Sequence, residues 1–285
     1  MKTVLVTGAN GQLGMCIKDI AKLNETLQFI FTNSSELDIT NKTSISSFFT
    51  DKNIDYCINC AAYTAVDNAE TEVEKAMNVN VKGVQNLAEV CRETDAILIH
   101  ISTDFVFDGT KHTPYLEADK TNPKSIYGNT KLQGEKTIKS VLKKHFIIRT
   151  SWLYSEYGNN FVKTMLRLGK EKDTLSVVND QKGTPTYAGD LAKVILQCIE
   201  ATNLDFGIYH YSNKGVTTWY EFAKEIFEES KISIHLKSIT TAEFPTAAER
   251  PRFSALDSSK IKRILDIEIP FWKKSLKRVL RNINK

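Results

Sequence analysis

Thr3-Val4-Leu5-Val6-Thr7-Gly8-Ala9-Asn10-Gly11-Gln12-Leu13-Gly14 joins a short run of strand formers to three glycines spaced three apart. A helical pattern begins at about Leu13. Strand, tight turn and helix N-terminus in succession aim backbone N–H groups and the positive end of a helix dipole at an anion. Gly8 is expected to permit the turn, and Gly11 to leave room for a pyrophosphate. Gly14 is expected to let helix and strand pack closely. The spacing is G-x-x-G-x-x-G rather than the commoner G-x-G-x-x-G. A glycine turn without a ligand would read the same locally; the strand before it and the helix after it favour a nucleotide.

Outward from this turn, strand-like runs at 3–7, 27–32, 55–60, 96–102 and 145–150 alternate with helical stretches near 12–23, 43–51, 72–93 and 125–143. This alternation predicts an α/β chain with a Rossmann-like, doubly wound parallel sheet. Ligands then sit beyond the C-terminal ends of the strands. Past residue 150 the regularity decays, with a turn-rich loop at 177–186, a helix at 187–201, a strand at 207–211 and helices at 218–229 and 271–284. We expect residues 1–150 to form a dinucleotide-binding domain to which about 180–205 return. Residues 151–285 are expected to form mainly a smaller, substrate-binding C-terminal lobe, with a cleft between the two.

The strand ends supply candidate chemistry. Thr32 and Asn33, after the second strand, are neither acidic nor basic, so this loop does not choose between NAD and NADP. Ala61-Ala62 either let a cofactor approach the backbone or pack beneath a helix. Ser102, Thr103 and Asp104 end the fourth strand, where hydroxyls serve chemistry or merely turn the chain. Tyr127 and Lys131, four apart, share a helical face. An ammonium beside a phenol favours the phenolate and would bring tyrosine nearer working pH for proton donation to a carbonyl. Tyr220 and Lys224 repeat the spacing on an amphipathic helix outside the alternating region. Arg250 and Arg252 in Ala248-Glu249-Arg250-Pro251-Arg252 could grip a phosphate or stand in solvent.

The 285 residues are 41% hydrophobic and 25% charged, with net charge +4 and the charges interspersed. No nucleic-acid footprint is expected, and no run reaches the ~18–20 apolar residues of a membrane span. Residues 1–7 lack the apolar core of a signal peptide. Five cysteines argue against a disulfide scaffold. Cys57 and Cys60 lack a second ligand pair for zinc and read as buried strand thiols, which suits a reducing cytoplasm.

Taken together, these features resemble the extended short-chain dehydrogenase/reductase superfamily. Gly11-Gln12-Leu13-Gly14, Asn59 to Asp67, Ser102 to Gly109, Arg149 to Tyr154 and Asp180-Gln181-x-Gly183-x-Pro185-Thr186 are similar to the dTDP-4-dehydrorhamnose reductases, over residues 3 to about 265. The resemblance implies NADPH- or NADH-dependent reduction of the C4 keto group of dTDP-4-dehydro-L-rhamnose, the last step of dTDP-L-rhamnose synthesis. It implies that Tyr127 donates a proton, that Lys131 binds the nicotinamide ribose and tunes Tyr127, and that Thr103 orients the reacting oxygen. Thr103, Asp104, Trp152 and Arg250 would meet the dTDP-sugar. Gly8, Gly11, Gln12, Leu13, Gly14, Asp38, Ile39, Ala61, Ala62, Tyr63 and Thr64 would surround the cofactor, with Tyr127 and Lys131. Some members of the family dimerise around magnesium held partly by an acid two residues past the last fingerprint glycine. Here that position is Cys16, a poor magnesium ligand, so no structural metal is expected and the chain is a monomer or homodimer. Two rivals are another NDP-sugar 4-ketoreductase or epimerase and a non-catalytic regulatory subunit of the methionine adenosyltransferase kind. Phe105 after Asp104, where a dehydratase needs glutamate, weighs against a dehydratase.

Overall fold

A computed structural model describes residues 1–201 and 204–283. The elements that position the cleft are β1 (Lys2–Thr7), α1 (Gln12–Ala21), β2 (Leu27–Thr32), α2 (Lys42–Lys52), β3 (Tyr56–Asn59), α3 (Val84–Glu93), β4 (Ile97–Thr103), α4 (Ile126–Val141) and β5 (His145–Thr150). They continue as α5 (Phe161–Glu171), β6 (Thr174–Val178), α6 (Ala188–Glu200), β7 (Gly207–His210), α7 (Trp219–Glu229), β8 (His235–Ile239), α8 (Ser259–Leu265) and α9 (Trp272–Ile283). Of the helix expected over 271–284, position 284 lies outside the described residues.

Six strands form one parallel sheet in the order β7-β5-β4-β3-β1-β2. The strands read as nearly continuous apolar runs because both faces are covered. Val4, Val6, Ile58, Ile99 and Ile148 join one apolar cluster, while Leu5, Cys57, Leu98 and Ile147 join another on the opposite face. That is the period-two alternation of a strand buried on both sides. The chain winds outward in both directions from β1 and β3, and a crevice opens at such a reversal.

Tyr154, Val162, Phe222, Ile226, Trp272 and Leu276 share one cluster with the sheet residues Val4, Val6 and Ile148. α6 packs on α1. β6 and β8 pair as a small parallel sheet of their own.

The helix expected over 72–93 is not uniform. It begins at Val73–Met77, widens into a π-helical turn at Asn78–Gly83 and then continues as α3. Asn80 in the wide turn is fully buried; its Oδ1 accepts from Tyr63 N at 2.9 Å and its Nδ2 donates to Thr130 Oγ1 at 3.1 Å. Gly134 of α4 packs against this turn so closely that a Cβ there would lie 2.4 Å from the Asn80 carbonyl oxygen. Such a turn inside a helix commonly accompanies a functional site.

A buried ion pair fastens α4 to the sheet. Arg149 on β5 binds Glu135 on α4 with Nε to Oε1 at 2.9 Å and Nη2 to Oε2 at 2.7 Å, both side chains almost wholly buried. Ser102 Oγ also donates to Glu135, and Phe107 lies against the guanidinium. Arg149→Met would leave Glu135 charged and unpaired in the interior. We expect a loss of about 3–5 kcal/mol of stability, measured by denaturant unfolding. A loss within experimental error would show that the pair does not fasten α4.

Candidate active site

Gly8 ends β1 with φ +64°, and a Cβ there would stand 2.6 Å from Ala61 N at the end of β3. Only glycine meets both demands. Gly14 has a different role from the one expected. Its Cβ would meet Ala9 Cα at 2.6 Å and the Gly8 carbonyl at 2.7 Å, so it packs helix against turn rather than helix against strand. Gly11 is the N-cap of α1, with no side chain capping it and no acid in the first turn. The first-turn N–H groups therefore face the cleft without an internal competitor.

The cleft has a volume of about 960 Å³. Its floor is the turn from Gly8 to Gly14 with Ala61, Ala62 and Thr64. Ala61 touches Gly8, and both alanines line the cleft. One end is closed by Asn33, Ser34 and Ser35, and the other opens among Thr103, Asp104, Tyr127, Lys131, Trp152 and Arg250. Asp38, Ile39 and Tyr63 are not brought to the cleft lining. Asp38 Oδ1 accepts from Thr40 N at 2.9 Å, Ile39 is core, and the Tyr63 hydroxyl donates to Glu72 at 2.7 Å.

Thr103 and Tyr127 meet because α4 starts against the turn that follows β4. Ser125 caps α4 by accepting from Gly128 N, and a Cβ on Gly128 would stand 2.3 Å from the Phe105 carbonyl oxygen. Tyr127 packs edge-on against Phe105. Burial pushes its phenol up to about 12, with the Thr103 hydroxyl pulling down and Asp104 pushing up. The expected depression by Lys131 is therefore corrected: the lysine is turned elsewhere. Lys131 Nζ donates to the Ile101 carbonyl at 2.7 Å and lies 3.2 Å from His100 Nε2. Burial brings Lys131 down to about 8 against the opposing pull of Glu135 and Cys60.

Asp104 is buried, and burial pushes its carboxyl up to about 6, with the Ser254 and Thr103 hydroxyls pulling the other way. Its Oδ1 accepts from Thr103 Oγ1 at 3.0 Å, while Oδ2 has no hydrogen-bond partner of normal length and angle. Trp152 adopts φ +47° and stacks on Trp219 at 3.6 Å between ring centres. Gly183 leaves room for that indole, since a Cβ would fall 2.5 Å from it. Trp219 escapes sequence reading because nothing local marks α7 as reaching the cleft. Arg250 lines the cleft, but its fork is taken by Asp67, with Nη1 to Oδ1 at 3.0 Å and Nη2 to Oδ2 at 2.6 Å. The pair holds Asp67 below the usual carboxylate range. Arg252 faces an adjoining cavity with Lys124 and Lys182.

Cys16 is buried in the core beside α6, and burial holds its thiol protonated. Among the described residues no group of three or more His, Cys, Asp or Glu side chains is placed to hold a metal ion. No helix among them is long and apolar enough to cross a membrane.

The family model described as the RmlD substrate binding domain matches residues 1–285. The chain belongs to this family. Among RmlD relatives, it is 43% identical over 289 residues to the dTDP-4-dehydrorhamnose reductase of Aggregatibacter actinomycetemcomitans, covering 98% of each chain. The crystal structure of the dTDP-4-dehydrorhamnose reductase of Clostridium acetobutylicum is similar, with TM-score 0.96 and 43% identity, over 99% of this chain and 100% of that one. The Bacillus anthracis dTDP-4-dehydrorhamnose reductase, solved in complex with NADP, gives TM-score 0.95 and 41% identity over the same shares.

Asp104 also makes a pH-dependent contribution. Its carboxyl binds a proton more tightly folded (about 6) than unfolded (3.8), so stability falls as pH rises through that window. Asp104→Asn should be more stable than the parent above about pH 6, by ~2–3 kcal/mol, and the gain should shrink as pH falls towards 4. Denaturant unfolding across pH checks this, and a pH-independent difference would contradict it.

Proposed function

We propose that this chain is a dTDP-4-dehydrorhamnose reductase, converting dTDP-4-dehydro-L-rhamnose to dTDP-L-rhamnose in the cytoplasm with NADPH or NADH. The observation that carries this reading is the meeting of Thr103, Tyr127 and Lys131 at the same cleft as the glycine turn. Full-length likeness to reductases of that name supports the substrate.

The cleft fits a nicotinamide dinucleotide. The uncapped N-terminus of α1 suits a pyrophosphate at Gly11, Gln12 and Leu13. Ala61, Ala62 and Thr64 would flank the dinucleotide, and Lys131 would hold the nicotinamide ribose. Ser34 and Ser35 would face the adenosine end. Among the described residues no carboxylate competes there, because Glu36 is turned back to accept from Asn33 N at 2.8 Å; this favours NADPH. When bound, the reduced nicotinamide supplies the hydride.

The side chains supply the rest. Thr103 Oγ1 would hydrogen-bond the C4 oxygen and fix its orientation. Tyr127 gives its phenolic proton to that oxygen as negative charge develops, so keto group, hydride and proton balance as an alcohol. A phenol raised to about 12 is a reluctant donor. A cationic Lys131 nearby would favour the departing proton. Trp152 and Trp219 offer an aromatic wall for the sugar nucleotide, and Asp104 offers an unpaired oxygen for a sugar hydroxyl.

Tyr127→Phe should lower turnover by about 10²–10⁴ while NADPH still binds with near parental affinity. Loss of reduced-nicotinamide absorbance with the keto sugar, alongside NADPH fluorescence titration, checks both parts. A variant with near parental turnover would remove Tyr127 from its role.

A further inference from the structure

Arg250 stands where two cavities meet. Among the described residues it alone lines both the cleft and the adjoining cavity of about 1020 Å³, whose wall also carries Lys124, Lys182 and Arg252. The backbone just beyond it is pinned, with Lys182 N donating to the Arg252 carbonyl and Ser254 N to the Lys182 carbonyl, both at 2.8 Å. The side chain is held from the other wall. Asp67 lies in the short helical turn Val66–Ala69 that follows the cleft-lining alanines. Its Oδ1 accepts from Arg250 Nη1 at 3.0 Å and its Oδ2 from Nη2 at 2.6 Å. Oδ1 also accepts from Ala248 N at 3.1 Å, and Arg250 Nη1 also donates to the Ala248 carbonyl at 3.2 Å.

A guanidinium carries five N–H groups in one plane. Asp67 and the Ala248 carbonyl account for Nη1 and for one hydrogen of Nη2. Nε–H and the second Nη2–H remain, side by side on one edge, and no described residue accepts from Nε. The side chain is 24% exposed, so this edge is not sealed in the interior. Two parallel N–H groups of this kind match two oxygens of a phosphate.

We propose that Asp67 is a positioning residue for the sugar nucleotide: it grips the end of the Arg250 guanidinium and so presents the free edge to the substrate's diphosphate where the two cavities join. The identity of that ligand rests on the reductase reading. Asp67 acts through Arg250 and does not itself meet the diphosphate. Its charge near an anion is unfavourable; the offsetting gain is an arginine already held in one orientation, which loses less freedom on binding. Lys124, Lys182 and Arg252 add attraction without direction. The cavity's own acids are partly satisfied, Asp108 Oδ1 accepting from Thr110 N at 3.1 Å and Asp180 Oδ1 from Thr241 N at 2.9 Å.

Asp67→Asn separates orientation from charge. Its Oδ1 can still accept from Ala248 N, so the segment stays tethered, while its Nδ2 meets Arg250 Nη2 donor to donor. Coulomb attraction alone predicts that an anion binds more tightly once Asp67 loses its charge. Positioning predicts the opposite. Titrated calorimetrically with NADPH bound, dTDP should bind Asp67→Asn about tenfold more weakly than the parent. Thymidine, which lacks the diphosphate, and NADPH should bind both proteins alike. KM for the keto sugar should rise by a larger factor than kcat falls. Arg250→Lys keeps the charge but has no second edge, and adding Asp67→Asn to it should cause no further loss. Unchanged or tighter dTDP binding by Asp67→Asn would overturn the proposal. So would thymidine weakened as much as dTDP, which marks a displaced segment, or the same tenfold loss in the lysine background. Failure of the reductase reading alone would appear as a parent that binds dTDP with this pattern yet leaves the keto sugar unreduced. A parent without affinity for dTDP would overturn both.

Discussion

The approach of Gly8 to the end of β3 is the constraint on which the cleft depends. Backbone meets backbone there, with no space for a side chain and a φ that only glycine takes without strain. The contact draws the turn after β1 against Ala61, at the place where the winding of the sheet reverses. α1 then starts with its N–H groups directed into the crevice, and Gly14 folds that helix onto the turn. A larger residue at Gly8 would not merely crowd a ligand. It would part β1 from β3 and so move the floor on which the rest of the site stands.

From that floor the reacting groups are positioned by polar contacts that are costly to bury. Glu135 and Arg149 tie α4 to β5, Asn80 ties the π-helical turn to α4, and His100 backs Lys131. An unpaired charge at any of these points would cost more than a well-packed apolar side chain there. Asp104 is the exception: burial lifts its carboxyl to about 6 and one oxygen remains without a partner.

The sheet was legible in the sequence because strands covered on both faces stand out as apolar runs, as Val4 to Val6 and Ile147-Ile148 do. The glycine turn and the Tyr127–Lys131 spacing were legible for a similar reason, each being local. What escaped was set by distant parts of the chain. No periodicity reveals that Asn80 opens a π-helical turn, since its partners are Tyr63 and Thr130. Trp219 reaches Trp152 only once α7 is packed. Lys131 was expected to act on Tyr127 directly. Burial instead raises the phenol, and the lysine faces Ile101 and His100, neither of which the helical spacing could indicate. Arg250 likewise looked free in sequence, while Asp67, 183 positions away, occupies its fork.

The central claim is that this cleft delivers hydride to C4 of a dTDP-linked keto sugar while the protein supplies the proton. The most direct measurement is the reaction of dTDP-4-dehydro-L-rhamnose with NADPH deuterated at the transferable C4 position of the nicotinamide, followed by mass and NMR analysis of the sugar. The account requires one deuterium per product molecule, at sugar C4, with one NADPH consumed for each dTDP-L-rhamnose formed. Isomerised sugar without net NADPH consumption, or product with no deuterium at C4, would contradict it.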